Sequence, residues 1–134
     1  MALLPLEVGD ELLVEDARLG MRFAEQAGFD RGLALLGGET ASHDSSWEQP
    51  WGERRLVRDH HNELLLHFED DAGRRFHLRV RAFGDGIGFR YEVPAQAGFE
   101  SAHIVDELTE FALPEGSTAW WIPGRRYNRY EYLY

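Results

Sequence analysis

Cysteine and lysine are both missing from this chain. Without cysteine there is no disulfide framework, no thiolate metal site and no thiol nucleophile. Lysine's absence leaves all 14 cationic side chains as arginine, a pattern assigned here to coding bias rather than to mechanism. Long hydrophobic runs are missing as well, since no window approaches the roughly 18 apolar residues of a membrane helix. Met1-Ala2-Leu3-Leu4-Pro5 has neither a basic start nor an extended apolar core, so no signal peptide is read in it. Positive charge is also in deficit. A net charge of −10 repels phosphate backbones and anionic headgroups, which argues against nucleic-acid and membrane partners.

Aromatic residues, by contrast, are plentiful at 13%, and with 43% apolar residues in 134 positions they suffice for one domain around one core. Their distribution is uneven. Trp120-Trp121-Ile122-Pro123 and Tyr127-Asn128-Arg129-Tyr130-Glu131-Tyr132-Leu133-Tyr134 hold two of the four tryptophans and four of the five tyrosines. Large aromatic surfaces gain most from burial, whereas chain ends are ordinarily polar. This terminus therefore gives the expectation that the chain is a piece of a longer protein.

Strand signals dominate. Leu64, Leu66 and Phe68 alternate with Glu63, His67 and Glu69. After the turn Asp70-Asp71-Ala72-Gly73, Phe76, Leu78, Val80 and Ala82 alternate with His77, Arg79 and Arg81. Beyond Gly84-Asp85-Gly86 the alternation resumes at Ile87, Phe89, Tyr91 and Val93. A period of two places one face in a core and leaves a cationic face towards solvent or a partner sheet. The spacing predicts an antiparallel meander over residues 62–94. Glu11–Val14 and Leu19–Phe23 are expected as short strands, 24–32 as a loop, Leu33–Leu36 as a buried strand and 39–53 as a polar loop. Residues 103–113 suit a helical face or a strand equally well by period. No repeat, linker or internal domain boundary is visible.

Candidate chemistry is sparse. His60 and His61 are adjacent, so on a strand they point to opposite faces, and His43, His67, His77 and His103 show no ligand spacing; a self-contained zinc site is not expected. Ser42, Ser45 and Ser46 flank His43 and Asp44, but there is no Gly-x-Ser-x-Gly elbow, and a capped loop or Asx-turn is the better reading. Glu107 and Glu110 read as solvated. Glu131, set between Tyr130 and Tyr132, is different, because flanking rings can desolvate its carboxylate and create a need for a cation or donors. It reads either as part of a shared hard-ion site or as a surface pair with Arg126 or Arg129. Trp120 and Trp121 suit sugar stacking if exposed and core packing if buried.

Trp47-Glu48-Gln49-Pro50-Trp51-Gly52-Glu53, Asn62-Glu63-Leu64, Phe83 to Glu92, Asp106 to Phe111 and Ala119-Trp120-Trp121-Ile122-Pro123, followed by Tyr130-Glu131-Tyr132, together resemble the N-terminal region of glycoside hydrolase family 97. The likeness runs through most of the chain and is least clear over residues 1–32. It implies an all-β, antiparallel β-sandwich, one part of a galactose-mutarotase-like super-sandwich, and favours the strand reading of 103–113. It implies a parent that is a calcium-dependent α-glucosidase or retaining α-galactosidase, periplasmic or secreted, with a (β/α)8 barrel bearing the catalytic carboxylates. This chain holds no catalytic residue on that reading, and residues 1–134 form a single non-catalytic β domain. What it contributes is Glu131, as a calcium ligand near the substrate pocket, beside Trp120, Trp121 and Tyr130 as contacts for an α-linked oligosaccharide. The expected partners are the barrel of the parent chain and a second copy in a homodimer formed through unpaired strand edges. The alternative is a free-standing carbohydrate-binding β-sandwich module.

Overall fold

A computed structural model describes residues 6–8, 10–15 and 17–120. The strands among them are β1 (Leu6–Val8), β2 (Glu11–Val14), β3 (Met21–Phe23), β4 (Ala34–Glu48), β5 (Leu56–Glu69), β6 (Arg75–Ala82), β7 (Ile87–Glu92) and β8 (Ile104–Glu107). The main sheet is the antiparallel meander β4-β5-β6-β7, while β3 pairs with β8 and β1 with β2. The all-β antiparallel architecture expected from the alternation is found, in the form of an open sandwich. No helix among the described residues is long and apolar enough to cross a membrane.

The meander closes through local turn chemistry. Between β5 and β6, Asp70 Oδ1 accepts hydrogen bonds from the backbone N–H groups of Ala72 (3.0 Å) and Arg74 (2.9 Å), an Asx arrangement that reverses the chain. Between β6 and β7, Phe83 N–H donates to Gly86 O at 2.8 Å. Register then follows, with Leu66 opposite Leu78 and Leu78 opposite Tyr91, so the even positions of β5 and β6 build one apolar face.

The β3–β8 ladder covers part of that face. Its side chains and the loop after β3 supply Phe23 and Phe29, which join Phe68, Phe76 and Leu78 as the buried core. Phe29 is fully buried, stacked on Phe76 at 4.9 Å and on Phe99 at 5.5 Å. The loop is held by paired hydrogen bonds between Met21 and Phe29. Gly28 is required for that close return, because a Cβ there would lie 2.7 Å from Met21 O. Past β8 the chain stays extended: Leu108 and Glu110 donate backbone hydrogen bonds to Gly20 and Arg18. The strand reading of residues 103–113 thus holds for Ile104–Glu107.

Two expectations are corrected. Residues 39–48 are not loop but the greater part of β4, which runs from Ala34 to Glu48 with every position exposed. An edge strand with two solvated faces needs no apolar alternation, so its sequence carries no period of two. The neighbouring Leu35 and Leu36 are not buried either, at 59% and 56% exposure. β4 pairs with β5 along its whole length, whereas β6 pairs with β5 only from Asn62 onwards. Residues 43–48 and 56–61 therefore form a two-stranded extension beyond the third strand.

Beyond the β3–β8 ladder, the apolar face of the main sheet faces Val14, Ala17, Leu19 and Phe111. A groove of about 200 Å3 lies there, lined by Leu64, Leu66, Leu78, Val80, Ile87 and Phe89.

Candidate functional site

The opposite face of the main sheet carries the odd-numbered side chains of β5 and β6, among them Asp59, His61, Glu63, His67, His77, Arg79 and Arg81, and the even-numbered ones of β7, Arg90 and Glu92. It is not simply cationic, as the alternation on β6 suggested. Arg79 binds Glu92 through two parallel hydrogen bonds and also reaches Glu63, Arg81 holds the other oxygen of Glu63 at 2.8 Å, and Arg90 binds Glu92 at 2.7 Å. The guanidinium of Arg79, with help from Arg90, holds the Glu92 carboxyl down to about 2. Arg81 and then Arg79 likewise hold Glu63 below the usual carboxylate range. On the adjacent strands the acids sit directly opposite the arginines of β6 that they neutralise (Glu63 and Arg81) or two residues out of register with them (Glu63 and Glu92 with Arg79), which the alternation within one strand does not reveal.

Cross-strand pairing also joins histidines that are far apart in sequence. His67 and His77 are directly opposite, with ring centroids 4.5 Å apart, and burial together with His67 keeps His77 below the usual imidazole range. His43 of β4 faces His61 of β5, the rings stacked at 4.8 Å. His61 is buried while His60 is exposed, so the adjacent pair does point to opposite faces. His61 Nδ1 lies 2.5 Å from Asp59 Oδ1, and its Nε2 is buried without a hydrogen-bond partner. Phe83 supports the ring from the other side at 5.1 Å. His43, His61 and Glu63 bring three ligand atoms within 4.8 Å of one another, the one such convergence of three His, Asp or Glu groups among the described residues.

The serine-rich stretch has a different explanation from the loop caps expected for it. Ser42 lies on β4 and donates to Asn62 Oδ1 at 2.7 Å, while Asp44 is bound by Arg58. His43 and Asp44 occupy opposite faces of the strand, so no Ser-His-Asp relay forms. Glu110 is paired with Arg18 and Glu107 accepts from Thr109. Of the residues assigned to sugar and calcium contacts, Trp120 is 94% exposed. Trp121, Tyr130 and Glu131 lie outside the described residues.

The profile described as Glycosyl-hydrolase 97 N-terminal matches residues 5–134. The chain belongs to this family. A Streptomyces bingchenggensis protein named as a probable retaining alpha-galactosidase is 33% identical over 120 residues, covering 90% of this chain and 18% of its own length. The retaining alpha-galactosidase of Bacteroides thetaiotaomicron is 28% identical over 85 residues, 63% of this chain and 12% of its own. A glycoside hydrolase family 97 enzyme from Pseudoalteromonas sp., solved in complex with panose, superposes with a TM-score of 0.82 at 42% identity, over 92% of this chain and 19% of its own. The family 97 N-terminal chain thus spans less than one-fifth of each of these proteins. Its open sandwich is the family 97 N-terminal fold.

Proposed function

We propose that this chain is the non-catalytic N-terminal part of a family 97 α-glycosidase, packing on a catalytic barrel and contributing Glu131 to the calcium and substrate site. The observation that carries the reading is the family match over residues 5–134, with the chain covering 19% of a much longer solved enzyme. The exposed apolar side chains Leu64 and Ile87 beside the groove support it, because such surface gains from being covered. Calcium takes six to eight oxygen ligands. The convergent cluster among the described residues offers two imidazoles and one carboxylate, which does not suit that ion. Any calcium role therefore rests on Glu131 together with ligands from the barrel.

The proposed substrate class is α-linked oligosaccharide, with Trp120, Trp121 and Tyr130 as contacts. The panose complex of one relative supports an α-glucoside, and the names of two others support an α-galactoside. A periplasmic or secreted parent is part of the same proposal, as is a homodimer joined at the edge of β4, which pairs with no other strand than β5 among the described residues.

Reconstitution tests the reading. The barrel of the Pseudoalteromonas enzyme, expressed without its N-terminal domain, should regain glycosidase activity on mixing with this chain, and less so with Glu131→Gln. No gain with either chain overturns the supporting role. The exposure of Trp120 favours a second reading, an autonomous carbohydrate-binding module. Titration of the isolated chain with maltose and maltotriose separates the two. Silence favours the supporting part, and a saturable signal lost in Trp120→Ala favours the module.

A further inference from the structure

We propose that His43, His61 and Glu63 form a binding site for a divalent transition-metal ion of the zinc type, on the polar face of the main sheet and separate from any calcium site.

The argument begins at His61. A carboxylate can only accept, so Asp59 Oδ1 at 2.5 Å from Nδ1 puts the proton on that nitrogen and leaves the lone pair on Nε2. That nitrogen is buried and has no hydrogen-bond partner. A buried polar atom left unsatisfied is destabilising, and a ligand on Nε2 would relieve that cost. A carboxylate bound to the far nitrogen of an imidazole is also the usual support of a metal-ligating histidine, because it fixes the tautomer and raises the basicity of the ligating nitrogen.

Geometry supplies the remaining ligands. The imidazole of His43 and the carboxylate of Glu63 bring their ligand atoms within 4.8 Å of the others. Around a tetrahedral ion with bonds of about 2.0–2.2 Å, ligand atoms sit roughly 3.4 Å apart, so closing the site falls to the exposed His43 ring, with Glu63 held in place by its arginines. His43 is exposed, which leaves the site open to solvent and a position for water as fourth ligand.

Charge selects the ion. Glu63 already accepts from Arg79 and Arg81, but each of its oxygens keeps a second lone pair. Those guanidiniums fix the carboxylate's orientation and weaken its pull on hard cations, which depend on several anionic oxygens. Two neutral imidazoles favour zinc, copper or nickel instead.

The test is titration of the tag-free chain with ZnCl2 at neutral pH, with CaCl2 in parallel. The expected result is saturable binding of one zinc per chain and a rise in Tm with zinc concentration. Calcium should do neither. His43→Ala, at an exposed edge position, should fold normally by circular dichroism and lose at least about tenfold in zinc affinity, and Asp59→Asn should lose about tenfold through the unsupported ring. Co2+ in place of zinc should give the visible absorption of a four-coordinate N/O site in the unmodified chain. Absence of saturable zinc binding overturns the proposal, as does zinc binding unchanged in His43→Ala or calcium binding as tight as zinc.

Discussion

Arg79 and Glu92 meet through a fork of two hydrogen bonds, Nε to Oε1 at 2.6 Å and Nη2 to Oε2 at 3.1 Å. The pair lies on β6 and β7, each half-buried, and Arg79 extends the contact to Glu63 on β5. Three strands are thus bound side chain to side chain on the face away from the aromatic core.

The first prediction concerns acid. Glu92 titrates at about 2 in the fold against 4.5 for a free glutamate. A depressed carboxylate contributes stability that is fully present above the unfolded value and is lost as protons bind. Stability should therefore fall as pH drops from about 4.5 towards 2. In Glu92→Gln the decline over that window should be shallower, as read from Tm against pH.

Phe29→Ala should cost about 3–5 kcal/mol, because it empties the fully buried centre of the phenylalanine stack. Urea denaturation measures it. A loss below about 1 kcal/mol would show that the loop is not part of the core.

Tyr91 connects the two layers, since its hydroxyl accepts from Gly20 N–H at 3.3 Å and shares a hydrogen bond with Thr109 Oγ1 at 2.6 Å. Burial also raises its phenol above the usual range. Tyr91→Phe keeps the ring and removes the hydroxyl, so the expected loss is about 1 kcal/mol in denaturant unfolding.

Trp120 is the control. With nearly all its surface in solvent, Trp120→Ala should change stability by less than about 0.5 kcal/mol, checked by Tm. A larger drop would mean that the ring is covered in solution.

The meander was legible because its strands have one wet and one dry face, and the turns Asp70–Gly73 and Gly84–Gly86 carry their own signals. β4 was not, since an edge strand exposed on both sides imposes no period on its residues. Phe29 escaped for a related reason: a lone aromatic in an aperiodic loop is buried by tertiary packing alone. His43 and His61 look unrelated in sequence because their meeting depends on strand register, and a shift of one residue would put His43 on the other face. The family resemblance located the domain, but of the residues it assigned to sugar and calcium only Trp120 falls among those described.

The hairpin of β4 and β5 has a third strand beside only part of its length. Hydrogen exchange along β5 should accordingly be uneven. Amides from Asn62 to Glu69, flanked by strands on both sides, open only with the sheet as a whole, whereas those from Leu56 to His61 need break only one ladder. A single strand would then span two cooperative units, with the boundary at His61.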